Sequence, residues 1–377
     1  TLDIDILKNK NYEEVALSVI HPYVSDEVSE IDLKKIINDS YKQFSHSEIA
    51  PIIAIDQNKY ILELFYGPTF AFKDYALQFL GNLFTYALPK VSKKLTVLGA
   101  TSGDTGSAAI EAFRGKEDIN VFILHPHNRV SEVQRRQMTT VQDDNVFNIA
   151  IKGNFDDCQK IVKELFVDEE LQQHTSLTAI NSINWARLMA QVVYYFWSYL
   201  QIDQNEINFI VPSGNFGNVF SAYVAKQMGL PINKLHIATN QNDILHSSIN
   251  HGLMKKNVVK QTYSPSMDIQ ISSNFERQLF ECAERESDVI KNLFQEFSKN
   301  NSYTFDKNIL NNLQSIYYTN AVNDDETLST IKQVKKQYNY LADPHTSIGL
   351  HALLKKDSSE PWVSLACAHP AKFGDAI

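Results

Sequence analysis

The chain has 377 residues, 44% of them hydrophobic and 21% charged, which suffices for a packed globular core of about two or three domains. Its net charge of −9 argues against a general nucleic-acid or anionic-membrane partner. The three cysteines form no CxxC pair and the histidines no cluster at metal spacing, so we expect neither a disulfide framework nor a metal site. No membrane-spanning run or signal peptide is found, and a soluble cytoplasmic protein is expected.

Hydrophobic periodicity predicts short amphipathic helices over residues 1 to about 50, then alternating strands and helices from Ile52 onwards. The predicted strands lie within KYILELFYG, LTVLGA, NVFILHP, NVFNIAIKG, INFIVP, KLHIATN and WVSLACAHP. The predicted helices begin near Asp74 and include SAAIEAFRG, DDCQKIVKELF, WARLMAQVVYYFWSYLQ and FSAYVAKQMGL. This alternation predicts βαβ crossovers and a doubly wound α/β architecture. The charge-mixed segment from Phe275 to Tyr338 interrupts it and indicates a helical insertion or layer.

Two glycine-rich turns each follow a predicted strand and open a helix. VPSGNFGN, residues 211–218, offers small residues and a helix N-terminus to an anion such as phosphate, or is simply a tight turn. It is neither a P-loop nor a GxGxxG fingerprint. In GATSGDTGSAA, residues 99–109, hydroxyls and N–H groups can hold a carboxylate, although Ser102 and Asp104 are equally good helix N-caps. Because both turns follow the carboxyl ends of strands, we expect them to face one crevice.

The stretch NSINWAR, residues 181–187, places an Asn-Ser pair and an arginine at the mouth of a helix. Together they can form a fork for a phosphate or carboxylate. Alone, Arg187 is more often a surface or salt-bridging residue. His345 and His369 likewise more often make structural hydrogen bonds than catalyse.

Lys73 lies in GPTFAFKDYALQFLG, an aromatic-rich and nearly uncharged stretch. One interpretation is a lysine that snorkels from a helix start. The other is an amine desolvated by Phe70 and Phe72, with a lowered pKa and able to form a Schiff base. A reactive lysine, a phosphate-binding turn and a carboxylate-binding turn together suggest pyridoxal 5'-phosphate (PLP) as cofactor.

Five ordered motifs, GPTFAFKD, TSGDTG, NSINWAR, PSGNFGN and AHPAKF, give the chain a resemblance to bacterial threonine synthases from about Ile4 to Phe373. That family has the type II, tryptophan-synthase-β-like PLP fold. The resemblance implies an N-terminal helical segment over residues 1–50, a large PLP-binding α/β domain over 51–90 and 186–377, and a small α/β domain over 91–185. It also implies a small-molecule substrate and a monomer or homodimer.

The resemblance carries a role to each matching residue. Lys73 matches the lysine that holds PLP and then moves protons at the substrate. Asp104 matches the contact to the ring hydroxyl, and Cys367 lies at the position close to the pyridine nitrogen. The PLP-phosphate loop is matched by Ser213, Gly214, Asn215, Phe216, Gly217 and Asn218. Substrate-binding positions are matched by Thr101, Ser102 and Thr105 on the carboxylate and phosphate side, and by Asn181, Ser182 and Arg187 at the substrate phosphate.

The implied reaction converts O-phospho-L-homoserine and water to L-threonine and phosphate. The Lys73 amine removes the Cα proton, deprotonation at Cβ lets the γ-phosphate depart, and water adds at Cβ. A phospho-lyase that releases 2-oxobutyrate would share most of these residues, whereas a serine or threonine dehydratase would not need the phosphate fork. A non-catalytic protein that binds a phosphorylated metabolite would not need Lys73.

The sequence departs from the family at Cys367, where threonine is common. A thiol donates a weaker hydrogen bond than a hydroxyl, but as a neutral group it still leaves the ring nitrogen largely unprotonated. We therefore expect activity to be retained, and a Cys367→Thr variant that gains orders of magnitude in kcat would contradict this. The chain also lacks the family's glycine-rich N-terminal segment and ends at KFGDAI, where relatives often continue. A truncated chain and a genuinely shorter protein both fit these ends.

Overall fold

The computed structural model describes residues 1–90, 94–153, 155–180 and 182–376. Its helices are α1 (Tyr12–Val24), α2 (Glu30–Tyr41), α3 (Lys73–Ala87), α4 (Asp104–Phe113), α5 (Glu132–Thr139), α6 (Phe155–Phe166), α7 (Glu169–His174), α8 (Trp185–Leu200), α9 (Gly217–Gln227), α10 (Ile244–His251), α11 (Phe275–Cys282), α12 (Ser287–Asn300), α13 (Lys307–Ile316), α14 (Asp324–Tyr338) and α15 (Pro344–Leu354). Its strands are β1 (Ile52–Asp56), β2 (Lys59–Glu63), β3 (Leu95–Ala100), β4 (Ile119–Pro126), β5 (Val146–Ile151), β6 (Ser176–Ala179), β7 (Ile207–Pro212), β8 (Ile232–Thr239), β9 (Leu253–Lys255), β10 (Ser302–Thr304), β11 (Tyr317–Ala321) and β12 (Trp362–Ala366).

One compact unit, made of residues 1–9, 50–63 and 191–377, contains a six-stranded sheet in the order β1-β2-β12-β7-β8-β11. The neighbouring strands β2, β12, β7, β8 and β11 pair in parallel. The edge strand β1 pairs antiparallel with β2. Every residue of β7 and β12 is buried, as expected for strands covered on both faces. Helices α9, α10 and α15 pack against this sheet.

The other compact unit, made of residues 10–49 and 64–190, contains a parallel four-stranded sheet in the order β5-β4-β3-β6. Its core gathers apolar side chains of α3, α4, β3 and β4, including Leu77, Phe113, Val97 and Ile123. Helices α3 and α4 cross closely at Gly81, where an added Cβ would lie 2.4 Å from the Ala112 carbonyl oxygen. The loops at the carboxyl ends of β3 and β4 lead into α4 and α5.

These parallel sheets with intervening helices confirm the predicted α/β class. The segment from Phe275 to Tyr338 was expected to be helical, and this is wrong in part: it also contains β10 and β11. β11 forms the parallel edge of the larger sheet beside β8. Its sequence YYTNA has no apolar run because an edge strand is buried on fewer sides, so periodicity did not mark it.

The two compact units divide the chain differently from the predicted domains. Residues 10–49 and 64–90 belong with the four-stranded sheet, and residues 1–9 belong with the six-stranded sheet, where the Leu2 N–H donates to the Met228 carbonyl oxygen (2.8 Å). The predicted domain boundaries at 50, 90 and 185 stay predictions. In the described ranges no helix is long and apolar enough to cross a membrane, and no group of side chains suits a metal ion.

His236 on β8 is a buried histidine whose neutral form the fold requires. Its Nε2 lies 2.7 Å from Asn320 Oδ1 on β11. Burial, and secondarily the charge of Lys356, lower the pKa of His236 from 6.5 to about 3. The unfolded chain therefore binds a proton at this residue below pH 6.5 that the folded chain does not.

We expect the free energy of unfolding to fall as the pH drops below 6.5, with this histidine contributing about 1.4 kcal/mol per pH unit until its folded pKa is approached. A His236→Gln variant keeps a donor to Asn320 but does not titrate, so its stability should depend less on pH. Urea unfolding at neutral pH and at about pH 4.5 measures the difference. Parallel pH dependences for the two proteins would show that His236 is not the group responsible.

Candidate active site

Lys73 is the first residue of α3, and its side chain is only 11% exposed. The preceding loop is fixed by Asp74, which accepts hydrogen bonds from the N–H (2.8 Å) and hydroxyl (2.6 Å) of Thr69. The Lys73 Nζ lies 5.0 Å from the centre of the Phe72 ring, whereas Phe70 is 45% exposed. Phe72, one of the two aromatic neighbours expected to desolvate the amine, therefore lies against it.

Asp104, the first residue of α4, is brought to Lys73 although 31 positions separate them. Its Oδ2 lies 3.3 Å from Lys73 Nζ, and its side chain is 4% exposed. The other oxygen, Oδ1, accepts a hydrogen bond from Gln134 Nε2 (2.9 Å). The N-terminus of α4 favours the negative charge of Asp104, while the N-terminus of α3 disfavours a positive charge on Lys73. The Asp104 carboxylate therefore favours a positive charge on the Lys73 amine, and the N-terminus of α3 opposes it.

Thr101 is buried and caps α4 with its hydroxyl, which accepts hydrogen bonds from the N–H groups of Gly103 (2.9 Å) and Gly106 (2.8 Å). Ser102 and Thr105, on the same turn, are half-buried. The structure thus gives Thr101 a local structural use, whereas Ser102 and Thr105 keep some exposure at the N-terminus of α4. The substrate-binding roles of all three stay predictions.

Replacing Thr101 by valine should destabilise the fold, because two buried N–H groups lose their acceptor at about 1–3 kcal/mol each. Urea unfolding would measure this, with Thr105→Val, whose side chain is half-buried, as the matched control. A Thr101→Val protein with unchanged stability and a raised KM would instead place the hydroxyl against the substrate.

Arg187, in the first turn of α8, is buried, and its Nη1 donates to the Ile180 carbonyl oxygen (2.6 Å). Arg187, which belongs to the predicted phosphate fork, therefore stabilises the turn between β6 and α8. Ser182 lies half-buried in the intervening turn. Asn181 lies outside the described residues. A substrate-phosphate site at these three positions stays a prediction.

In the unit with the six-stranded sheet, the predicted phosphate loop runs from Ser213, directly after β7, to Asn218 in the first turn of α9. Phe216 has a φ of +63° and is fully buried, with its ring 5.1 Å from that of Phe275 and 5.6 Å from that of Tyr317. A left-handed phenylalanine is uncommon and is held here by core packing. The core thereby fixes the path of the loop into the helix.

The segment around Met267 and Ile269, which follows α10 in the chain, lies next to this loop. An added Cβ on Gly214 would lie 3.1 Å from Met267 Cα and from Ile269 Cδ1, so the loop passes close to this segment. The Asn215 carbonyl oxygen accepts a hydrogen bond from the N–H of Asn274 (3.1 Å). The first N–H groups of α9 have no acceptor within the helix and are suited to an anion.

Asn218 adds a side-chain donor at the start of α9. Its Oδ1 accepts hydrogen bonds from Tyr194 (2.5 Å) and Tyr195 (2.7 Å), both on α8. Burial holds the pKa of Tyr195 well above 10, so it remains a donor. Among the described residues, the buried Asn218 Nδ2 has no hydrogen-bond partner. A buried donor beside a helix N-terminus fits a phosphate group.

Cys367 follows β12 and is 6% exposed. Its N–H donates to Thr346 Oγ1 (3.0 Å), and that hydroxyl donates to the buried Asp343. Asp343 Oδ1 also lies 2.8 Å from His345 Nδ1, while His345 Nε2 accepts from the N–H of Ser266 (3.2 Å). His345 is therefore a structural histidine, and the backbone at Cys367 is fixed from the start of α15.

His369 likewise uses its ring locally, since its Nδ1 accepts from the N–H of Ala371 (3.2 Å). Sequence reasoning missed Gln134, Tyr194 and Tyr195. The SEVQ pattern signals a helix start at Ser131, but no sequence pattern indicates that Gln134 reaches Asp104. The paired tyrosines of α8 resemble ordinary core residues.

The Lys73–Asp104 pair has the chemistry to bind the aldehyde of PLP, and the loop after β7 has the backbone donors that suit a phosphate group. A family model for pyridoxal-phosphate dependent enzymes matches residues 53–293, and a model for the threonine synthase N terminus matches residues 1–41. Solved structures at low identity share the fold, such as maize serine racemase, 13% identical with a TM-score of 0.61. The fold and the site thus define a fold type II, PLP-dependent enzyme.

Closer relatives narrow this class. Threonine synthase from Pseudomonas aeruginosa is 46% identical over 97% of this chain and 79% of its own length. The crystal structure of PLP-bound threonine synthase from Brucella melitensis has a TM-score of 0.95 at 46% identity and covers 99% of this chain and 81% of that one. The yeast enzyme is 43% identical, with a TM-score of 0.92 over 98% of this chain and 79% of that one. The chain belongs to the threonine synthase family.

The predicted family, the fold class, the enzyme class and the cofactor are confirmed by these matches. The roles of the individual site residues stay predictions.

Proposed function

We propose that this chain converts O-phospho-L-homoserine and water to L-threonine and phosphate. The observation that carries the proposal is the nearly buried Lys73 amine, 3.3 Å from the Asp104 carboxylate at the start of α4. Burying a lysine costs free energy that its ion pair with Asp104 offsets only in part, and a chemical use of the amine accounts for its retention. The names of the relatives support the same reaction.

PLP, when bound, supplies an aldehyde for an amine and an electron-withdrawing ring that stabilises negative charge at the substrate's Cα. Lys73 is the amine that would hold this aldehyde. Once displaced, its Nζ would remove the proton from Cα and return protons later in the reaction. Asp104 would orient Nζ and stabilise its protonated form through their ion pair.

The loop from Ser213 to Asn218 would bind the cofactor phosphate through the backbone N–H groups at the start of α9 and the Asn218 amide. Cys367 would offer a neutral group near the ring nitrogen. Ser102 and Thr105 would contact the substrate carboxylate at the N-terminus of α4. Arg187 and Ser182 would bind the substrate phosphate, with Arg187 also bracing the Ile180 carbonyl.

The test is to incubate the PLP-loaded chain with O-phospho-L-homoserine and to assay phosphate, threonine and 2-oxobutyrate together. Equal amounts of phosphate and threonine support the proposal. Phosphate matched by 2-oxobutyrate would make the chain a phospho-lyase. A coloured, PLP-loaded protein that releases no phosphate would overturn the substrate assignment.

We propose a cytoplasmic enzyme that acts as a monomer or homodimer without nucleic-acid or membrane partners. The three buried thiols and the acidic net charge support the location and the lack of a nucleic-acid partner. Light scattering after size-exclusion chromatography would decide between monomer and homodimer.

A further inference from the structure

Gln134, at the third position of α5, uses both ends of its amide. Its Oε1 accepts a hydrogen bond from the N–H of Ser131 (3.1 Å), which closes the capping box at the start of α5. Its Nε2 donates to Asp104 Oδ1 (2.9 Å). The side chain is fully buried. These contacts fix the orientation of the amide, since only Oε1 can accept from an N–H and only Nε2 can donate to a carboxylate.

A capping box accepts either Glu or Gln at this position, so capping alone does not require an amide here. The amide N–H donor of Gln134 is instead explained by its acceptor, the Asp104 carboxylate. A carboxylate at position 134 would place two acids side by side in a buried site, where like charges cannot both ionise without cost. The residue type is therefore explained by its contact with the Lys73–Asp104 pair.

The surroundings hold the glutamine against rotation. Gly103 has a φ of +134°, and a Cβ added there would lie 2.3 Å from Gln134 Cδ. One turn further along α5, Gln137 Nε2 donates to the Thr69 carbonyl oxygen (3.1 Å), in the loop that precedes Lys73. Residues three apart share a helix face. One face of α5 thus contacts both Asp104 and the loop that precedes Lys73.

We infer that Gln134 is a positioning residue for the reaction. It holds the Asp104 carboxylate so that Oδ2 faces Lys73 Nζ, and it thereby sets the charge and direction of the amine. The inference rests on the proposed function, since it assigns Lys73 and Asp104 the cofactor and proton-transfer roles described above.

Two variants of the holoenzyme test it. Gln134→Glu keeps the acceptor for the Ser131 N–H but removes the donor to Asp104. Its kcat should fall about 10- to 100-fold at alkaline pH and recover as the pH is lowered and the introduced carboxyl regains a proton to donate. Gln134→Met removes the donor without adding charge. The pH midpoint of the absorbance change of PLP bound to Lys73 should then shift by about one unit, because Asp104 loses the Gln134 donor that orients its carboxylate and balances its charge.

Ser131→Ala is the matched control, because it removes the hydroxyl that caps the Gln134 N–H (3.2 Å) and leaves the amide on Asp104. It should lower stability without moving the absorbance midpoint or the pH dependence of kcat. If both Gln134 variants behave like Ser131→Ala, Gln134 only caps α5 and the inference is wrong. A wild-type chain whose Lys73 never holds PLP also overturns it. Shifted midpoints in a protein that forms no threonine would uphold the inference and overturn the proposed reaction.

Discussion

Lys73→Ala should abolish threonine formation and leave a protein that does not retain PLP. The lost proton transfer alone is expected to cost about 10²- to 10⁴-fold in kcat, and the loss of the covalent attachment adds to this. The measurement is the combined phosphate and threonine assay, together with the absorbance of the protein after gel filtration from excess PLP. Threonine formation at more than about a tenth of the wild-type rate would contradict the assignment of Lys73.

Two controls separate chemistry from charge and from burial. Lys73→Arg keeps a cation beside Asp104 but cannot act as a nucleophilic amine, so it should retain stability better than Lys73→Ala and still be inactive. Lys116→Ala removes another half-buried lysine of the same unit, whose pKa burial lowers and whose Nζ donates to Asn82 Oδ1 (2.9 Å). That variant should keep its activity. Retained activity of this variant would show that a lowered pKa alone does not make a lysine catalytic.

The sequence was sufficient for the elements whose burial is extensive. β7 and β3 are mostly apolar because parallel strands are covered on both faces, and each is followed by a glycine-rich turn that opens a helix. The type of element and the position of the two turns were therefore predictable. β6 and β11 were not, because both are short edge strands with half-exposed, partly polar residues.

The side-chain contacts of the site were less accessible. Asp104 was assigned by resemblance, but its distance of 3.3 Å to Lys73 depends on how α3 and α4 cross. Gln134 contacts Asp104 through an approach that the glycine at 103 permits, which no local pattern encodes. Arg187 is buried against the Ile180 carbonyl rather than exposed, since its helix starts directly after the turn that follows β6. Periodicity predicts elements, whereas these contacts depend on tertiary packing.

Gly103→Ala should be strongly destabilising and should also weaken PLP binding. The φ of +134° lies in a region that side chains disfavour, at about 1–3 kcal/mol. The added methyl would also lie 2.3–2.6 Å from Cδ, Oε1 and Nε2 of Gln134, and overpacking of this kind costs about 1–3 kcal/mol more. Because Gln134 has to move, Asp104 loses the hydrogen bond from the Gln134 amide. Urea unfolding and PLP titration measure the two effects.

Gly115→Ala isolates the backbone contribution. Gly115 also has a positive φ, +65°, but an added Cβ would lie 3.2 Å from one flexible oxygen, Asp143 Oδ1. It should therefore cost mainly the backbone strain and leave PLP binding intact. The double variant Gly103→Ala with Gln134→Ala should recover part of the stability lost by Gly103→Ala, because the clash is relieved, but not the PLP affinity. Purely additive stabilities would mean that the two side chains do not meet. The glycine would then be explained by its backbone alone.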